Sequence, residues 1–111
     1  MIFTELLSNK RLEFSSLCRE YKVKYMYAFG SSSNNKFDKE TSDIDLIVEL
    51  DEPDPVERGE NLMALWDKLE DFFHRKVDLL TESSIHNPYL RKSIESNKIL
   101  IYDGRGPEVL V

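Results

Sequence analysis

The residues best suited to chemistry are a Gly-Ser pair and two aspartates that follow it. Gly30 and Ser31 precede Asp43 and Asp45, with eleven residues between Ser31 and Asp43. Residues two apart in a β-strand project from the same face, so a strand over 43–50 would place both carboxylates together. Neighbouring carboxylates repel unless a cation lies between them, and Mg2+ takes oxygen ligands that it shares with substrate phosphates. Because the turn at Gly30 also offers backbone N–H groups to phosphates, the sequence predicts a metal and polyphosphate site.

A third carboxylate fits the same site. Asp78 lies between two apolar residues in the run 76–80, so its side chain should point away from the face that they occupy. If this strand lies beside residues 43–50, Asp78 joins Asp43 and Asp45 on one face. Three carboxylates could hold one or two Mg2+ ions, and two metals can stabilise the entering and leaving oxygens of phosphoryl or nucleotidyl transfer.

The elements that must position these carboxylates follow the order α-β-β-α-β-α-β. This order predicts an α/β (α+β) fold with one mixed sheet of about four strands packed by helices. We expect a single domain over 1–111, with an N-terminal helical segment at 1–21 and a C-terminal tail at 103–111. The predicted strands are 23–29, 43–50, 76–80 and 98–102, and the polar residues 31–42 form a loop.

The central helix carries the clearest local signals. Asp54 is a suitable N-cap, Pro55 suits the first helical position, and Glu57 stands where a capping-box partner belongs. A second helix opens at 87–88, with Leu90 and Ile94 predicted to face inward. The apolar stripe of the central helix consists of Leu62, Leu65, Trp66, Leu69 and Phe73.

Several other residues have structural interpretations. Glu49 shares the strand face of the two aspartates but lies farther along, which favours a charge at the rim. His74 ends a helix, where a cation interacts well with the helix dipole. Tyr25, Tyr27 and Trp66 are most simply core residues. Lone Cys18 lies among apolar residues and is predicted to be a buried structural thiol.

Bulk composition narrows the class of protein. The chain has 111 residues and a formal net charge of -6, which argues against a protein that coats nucleic acid. A single cysteine excludes a disulfide within the chain. The sequence shows no signal peptide and no apolar run of membrane-spanning length, so a reducing, cytoplasmic location without membrane contact is the default expectation.

The motifs together resemble a known family. Gly30-Ser31 with Asp43-Ile44-Asp45 is similar to the Gly-Ser…Asp-x-Asp signature of DNA polymerase β-like nucleotidyltransferases. The short chain, the phrase 42–49 and the run 76–80 resemble the minimal nucleotidyltransferase (MNT) branch, often the antitoxin of HEPN/MNT toxin–antitoxin systems. The resemblance covers residues 23–102, and its three motifs are specific only in combination.

The resemblance implies roles for these residues. Gly30 and Ser31 would hold the triphosphate, and Asp43 and Asp45 would bind one or two Mg2+ ions. Asp78 would share a metal and help to deprotonate the acceptor hydroxyl. The acceptor would attack the α-phosphate of a nucleoside triphosphate and release pyrophosphate. For the MNT branch, the resemblance implies ATP as donor and a tyrosine of a partner HEPN toxin as acceptor.

Two departures from the family pattern concern the loop after Gly30-Ser31. The gap before Asp43 is one residue longer than usual, and a single insertion costs little in folding. Many members carry Ala-Arg-Gly in this loop, whereas this chain has Ser-Asn-Asn at 33–35. Lys36 could replace the missing arginine as a point charge, without its two-pronged hydrogen bonding.

Other functions stay open on the sequence alone. A non-catalytic antitoxin would neutralise its partner by contact, and the altered loop motivates that alternative. A small-molecule nucleotidyltransferase would need an acceptor site from an oligomer or a partner, because the chain has no room for a second domain. Glycosyltransferases also use Asp-x-Asp, but they need a larger nucleotide-binding domain. The base of the nucleotide and the oligomeric state are not predicted.

Overall fold

The computed structural model describes residue 7, residues 9–30 and residues 43–105. Within these ranges the predicted order of helices and strands is confirmed, as is the α+β class. Residues 1–6, 8, 31–42 and 106–111 lie outside the described part, and with them the whole of the predicted loop and most of the predicted tail. The elements are α1 (Arg11–Glu20), β1 (Val23–Phe29), β2 (Ile44–Leu50), α2 (Pro55–Phe73), β3 (Val77–Leu80), a short 3-10 helix (Glu82–Ser84), α3 (Pro88–Asn97) and β4 (Ile99–Asp103).

The four strands form one mixed sheet in the order β3-β2-β1-β4. β1 pairs antiparallel with both β2 and β4, whereas β2 and β3 are parallel. Parallel neighbours need a crossover connection, and α2 supplies it. This arrangement brings the starts of β2 and β3 to the same end of the sheet, beside the end of β1 at Phe29.

Each face of the sheet packs against different helices. The larger core lies between one face and helices α1 and α2. The smaller core lies on the other face, where Ile94 of α3 and Ile85 pack against Phe29 and Ile47. Alternate residues of β2 therefore contribute to opposite cores, as the strand pattern predicts. The larger core includes Phe14, Cys18, Met26, Ile44, Leu46, Val48, Leu65, Leu69, Phe73, Val77, Leu79 and Tyr102.

The start of α2 is held by a network that the sequence predicts only in part. Asp54 is the N-cap and accepts the Val56 N–H at 3.0 Å, with Pro55 at the first helical position, as predicted. The N–H of Asp54 donates to Glu52 Oε1 at 3.2 Å, so the prediction that Glu57 completes a capping box is wrong. Glu52 is buried and already oriented by Lys22, which explains why it is the acceptor.

The remaining helices match their signals with one exception. Asn87 caps α3 by accepting the N–H groups of Tyr89 and Leu90. Ile94 is buried as predicted, but Leu90 is 44% exposed, so its inward assignment is wrong. Cys18 is buried, as predicted. Within the described ranges, no helix is both long enough and apolar enough to cross a membrane.

Candidate active site

Asp45 and Asp78 are direct partners across the parallel strands β2 and β3. Both are partly exposed, and the strand residues on either side of each are buried on the opposite face. The predicted parity of both strands is therefore confirmed. Because β2 and β3 start at the same end of the sheet, the two carboxylates meet where the chain leaves β1.

The two carboxylates interact strongly. The pKa of Asp45 is raised from 3.8 to about 6 by partial burial, by the negative charge of Asp78, by a side-chain hydrogen bond with Asp78 and by the charge of Asp43. A hydrogen bond between two carboxyl groups requires a proton on one of them. Protonation of Asp45 as the pH falls through about 6 therefore relieves its repulsion with Asp78, a role that a bound cation could perform at neutral pH.

Gly30 packs directly against Asp45. Its φ of +64° lies in the left-handed region, and a Cβ built at this position would lie 2.7 Å from Asp45 Oδ2. Any other residue would therefore be strained and would collide with the carboxylate. The backbone of Gly30 therefore lies against the carboxylate of Asp45, one of the aspartates that the sequence assigned to metal.

Two of the three carboxylates predicted to bind metal, Asp45 and Asp78, lie opposite each other on neighbouring strands. Asp43 immediately precedes β2 and acts on Asp45 through its charge. Over residue 7 and ranges 9–30 and 43–105, however, no three carboxylate, histidine or cysteine side chains are close enough to hold a metal ion. The oxygen donors suit Mg2+, which commonly binds through one or two carboxylates together with substrate phosphates. A site completed by substrate fits this pair, and the roles of Asp43, Asp45 and Asp78 stay predictions.

The remaining residues discussed in the sequence analysis either lie outside the described residues or have structural roles. Ser31 and Lys36 lie outside the described residues. Glu49 accepts the N–H of Glu82 at 2.9 Å, so it fixes the connection after β3. His74 ends α2 with a left-handed φ of 57°, at the helix end where it was predicted.

The face beyond the carboxylates is more polar than the sequence suggested. Tyr25 and Tyr27 are only partly buried, and their rings lie 5.5 Å apart. Lys98 Nζ lies 4.4 Å from the centroid of the Tyr27 ring and 3.2 Å from Glu95 Oε1. Burial and nearby carboxylates, first that of Glu82, raise the pKa of Tyr25 to about 12. Sequence alone could not identify this cluster, because it joins β1 to residues that lie more than fifty positions later.

The amino-acid sequence has clear relatives. Residues 14–101 match the family model described as "Nucleotidyltransferase domain". Two relatives from Methanocaldococcus jannaschii carry the name "Putative protein adenylyltransferase". One is 41% identical over 98 residues, covering 88% of this chain and 96% of the relative. The other is 45% identical over 85 residues, covering 77% and 83%.

Solved structures share the fold. A structure described as a "putative minimal nucleotidyltransferase" superimposes with a TM-score of 0.59 at 27% identity, covering 86% of this chain and 92% of that one. A toxin–antitoxin structure with AMP-PNP gives a TM-score of 0.59 at 24% identity, covering 86% and 75%, and supports the fold alone. The carboxylate pair, the family match and these relatives agree: the chain belongs to the nucleotidyltransferase domain family and is a nucleotidyltransferase.

Proposed function

We propose that this protein transfers AMP from ATP to a hydroxyl group in an Mg2+-dependent reaction, and that the acceptor is a tyrosine of a HEPN toxin. The observation that carries the proposal is the contact between Asp45 and Asp78 across β2 and β3. The names of the M. jannaschii relatives support adenylyl transfer to a protein. The MNT–HEPN complexes among the structural neighbours motivate the choice of partner.

In this proposal Asp43, Asp45 and Asp78 hold Mg2+, which would neutralise phosphate charge when bound. The turn at Gly30 and Ser31 holds the triphosphate through backbone N–H groups. The acceptor oxygen forms a bond to the α-phosphorus, and the bond from that phosphorus to the bridging oxygen of the β-phosphate breaks. Pyrophosphate leaves, and Asp78 receives the proton of the hydroxyl group.

Catalysis here depends on position and charge more than on covalent chemistry. Phosphoryl transfer is accelerated mainly by alignment of the reacting oxygens and by stabilisation of charge on phosphorus. Strands β2 and β3 supply rigid positions for Asp45 and Asp78, since backbone pairing fixes one opposite the other. The buried thiol of Cys18 and the use of ATP both suit a reducing cytoplasm.

The test uses purified protein, ATP labelled at the α-phosphate, Mg2+ and the purified product of the neighbouring gene, which the proposal expects to be a HEPN toxin. We expect label on a partner tyrosine with wild type, and loss of label with Asp45→Asn or Asp78→Asn. Asp67→Asn is the matched control, because Asp67 is exposed on α2. Equal labelling by wild type and Asp45→Asn would refute the proposal.

A cell-protection assay separates transfer from neutralisation by contact. Wild type and an Asp43→Asn/Asp45→Asn double variant are each produced together with the partner. We expect only wild type to protect the cells. Full protection by the double variant would show that contact alone is sufficient and that adenylyl transfer is not the basis of neutralisation.

A further inference from the structure

Strand β3, which carries Asp78, lies at the open edge of the sheet in the described part of the chain. The Ile44 N–H donates to Lys76 O at 3.0 Å, next to the start of β3. In a parallel ladder, successive residues direct their backbone groups alternately toward and away from the neighbouring strand. The N–H and C=O of Val77 therefore point away from β2, although Val77 is fully buried.

Two side chains of α2 satisfy both backbone groups of Val77. Trp66 Nε1 donates to Val77 O at 2.6 Å, and the Val77 N–H donates to Glu70 Oε2 at 3.0 Å. Residues four apart lie on the same face of a helix, so Trp66 and Glu70 act together across one turn. They replace the neighbouring strand that β3 lacks at this point.

The geometry points to Trp66 and Glu70 as positioning residues for Asp78, an inference that rests on the proposed catalytic role of Asp78. Val77 is bonded to Asp78 and holds the same strand in register, since Ile44 pairs with Val77 and Asp45 with Asp78. A shift of the β3 start would therefore change the distance between the two carboxylates. Trp66 and Glu70 together form an α2 clamp on the start of β3.

The hydrogen bond to Val77 explains why Glu70, a polar residue, lies on the face of α2 that packs on the sheet. Glu70 is partly buried beside Leu69, which is fully buried. A partly buried carboxylate is costly unless it accepts hydrogen bonds, and the Val77 N–H supplies one. Trp66 likewise packs against the core while its indole N–H has a polar partner. These two hydrogen bonds fix the open edge of β3 at Val77, one residue before Asp78.

The kinetic test compares Glu70→Ala and Trp66→Phe with wild type. We expect each to lower kcat for adenylyl transfer about 10-fold, as is typical when the support of a metal-binding residue is removed. The KM for ATP should change less, because the substrate-binding turn at Gly30 is untouched. Glu70→Gln keeps an acceptor oxygen and should restore most of the activity.

Two controls distinguish positioning from loss of stability. Asp67→Ala alters an exposed residue of the same helix, and Ile101→Val removes a methyl group from the core on β4, away from β3. Both should keep kcat within about 2-fold of wild type below their melting temperatures. In an Asp78→Glu background, which keeps a carboxylate and measurable transfer, Glu70→Ala should cause little further loss of kcat, because residues acting through one another are not additive. An equal loss in both backgrounds would overturn the inference.

Hydrogen exchange tests the α2 clamp independently of catalysis. In Glu70→Ala, we expect the Val77 amide to exchange at least about 10-fold faster, while the Ala28 amide of β1 is unchanged. An unchanged Val77 amide would refute the α2 clamp. If wild type transfers no AMP, the proposed function fails, and the exchange result still decides whether α2 holds the strand of Asp78.

Discussion

Asp45 and Asp78 form a carboxyl pair that the parallel pairing of β2 and β3 holds together. Their proximity is imposed by the backbone register. Partial burial, together with the neighbouring Asp78 carboxylate, raises the pKa of Asp45 to about 6. Folding thus places two like charges in contact at neutral pH, which opposes stability unless a proton or a cation lies between them. A structural feature that disfavours the isolated fold is a common signature of a functional site.

Stability without metal should fall as pH rises through the titration of Asp45. Its pKa is 3.8 without neighbours and about 6 when folded, so the folded protein binds the additional proton between these values. The stability that Asp45 contributes is therefore fully present below about pH 4 and is lost as the pH rises through about 6. Urea unfolding in EDTA at pH 5 and pH 7.5 measures the difference.

Asp45→Asn should remove that part of the pH dependence and raise the urea midpoint at pH 7.5. Asp67→Asn, an exposed change on α2, should leave the slope against pH as in wild type. Addition of Mg2+ at pH 7.5 should stabilise wild type more than Asp45→Asn, because a ligand that binds only the folded state stabilises it. Identical pH profiles for wild type and Asp45→Asn would contradict the raised pKa.

Gly30 and Gly59 should respond in opposite ways to alanine. Gly30→Ala places a Cβ against Asp45 Oδ2 at a φ of +64°, which costs about 1–2 kcal/mol. Gly59 lies within α2, and a Cβ there meets no atom within 4 Å, so Gly59→Ala should stabilise by about 0.5–1 kcal/mol. Chemical denaturation measures both changes in the free energy of unfolding, and destabilisation by Gly59→Ala would contradict the open space around Gly59.

Glu52 should contribute more to stability than its neighbour Glu57. Its side chain is 6% exposed and accepts from Lys22 Nζ at 2.7 Å, while its backbone carbonyl accepts from Arg58 Nη1. Hydrogen bonds from Lys22 and the Asp54 N–H hold the pKa of Glu52 below its usual value of 4.5. Its contribution is thus present above that value and lost as pH falls further. At pH 7, the melting temperature should decrease more for Glu52→Ala than for Glu57→Ala. At pH 3, the melting temperatures of the two variants should differ less.

The sequence predicted what depends on local periodicity. The alternation of polar and apolar residues correctly placed Asp45 and Asp78 on the strand face opposite their apolar neighbours. The N-cap signal correctly located the start of α2 at Asp54 and Pro55. Strand faces and helix caps depend on residues a few positions apart, so they can be predicted from the local sequence.

Contacts between distant segments were not predictable in the same way. Glu52 displaced Glu57 as the acceptor at α2 because Lys22, thirty residues earlier, orients it. The bonds of Trp66 and Glu70 to Val77 depend on how α2 crosses the sheet. Leu90 was assigned inward from only two apolar positions, which do not define the buried face of a ten-residue helix.

Asp43 and Glu49 provide a test of the catalytic assignment, since both are partly exposed acidic residues on one stretch of chain. Asp43 acts on Asp45 through its charge, whereas Glu49 accepts the N–H of Glu82. Asp43→Asn should lower kcat for adenylyl transfer at least about 100-fold, because a metal ligand contributes several kcal/mol to transition-state stabilisation.

Glu49→Gln, which retains an acceptor oxygen, should stay within about 3-fold of wild type in the same assay, since surface changes away from a site have small effects. Label transfer at saturating ATP and Mg2+ measures both variants, with circular dichroism to verify folding. If Glu49→Gln loses as much activity as Asp43→Asn, the functional face extends along the whole of β2, and the assignment of metal binding to its first carboxylates is wrong.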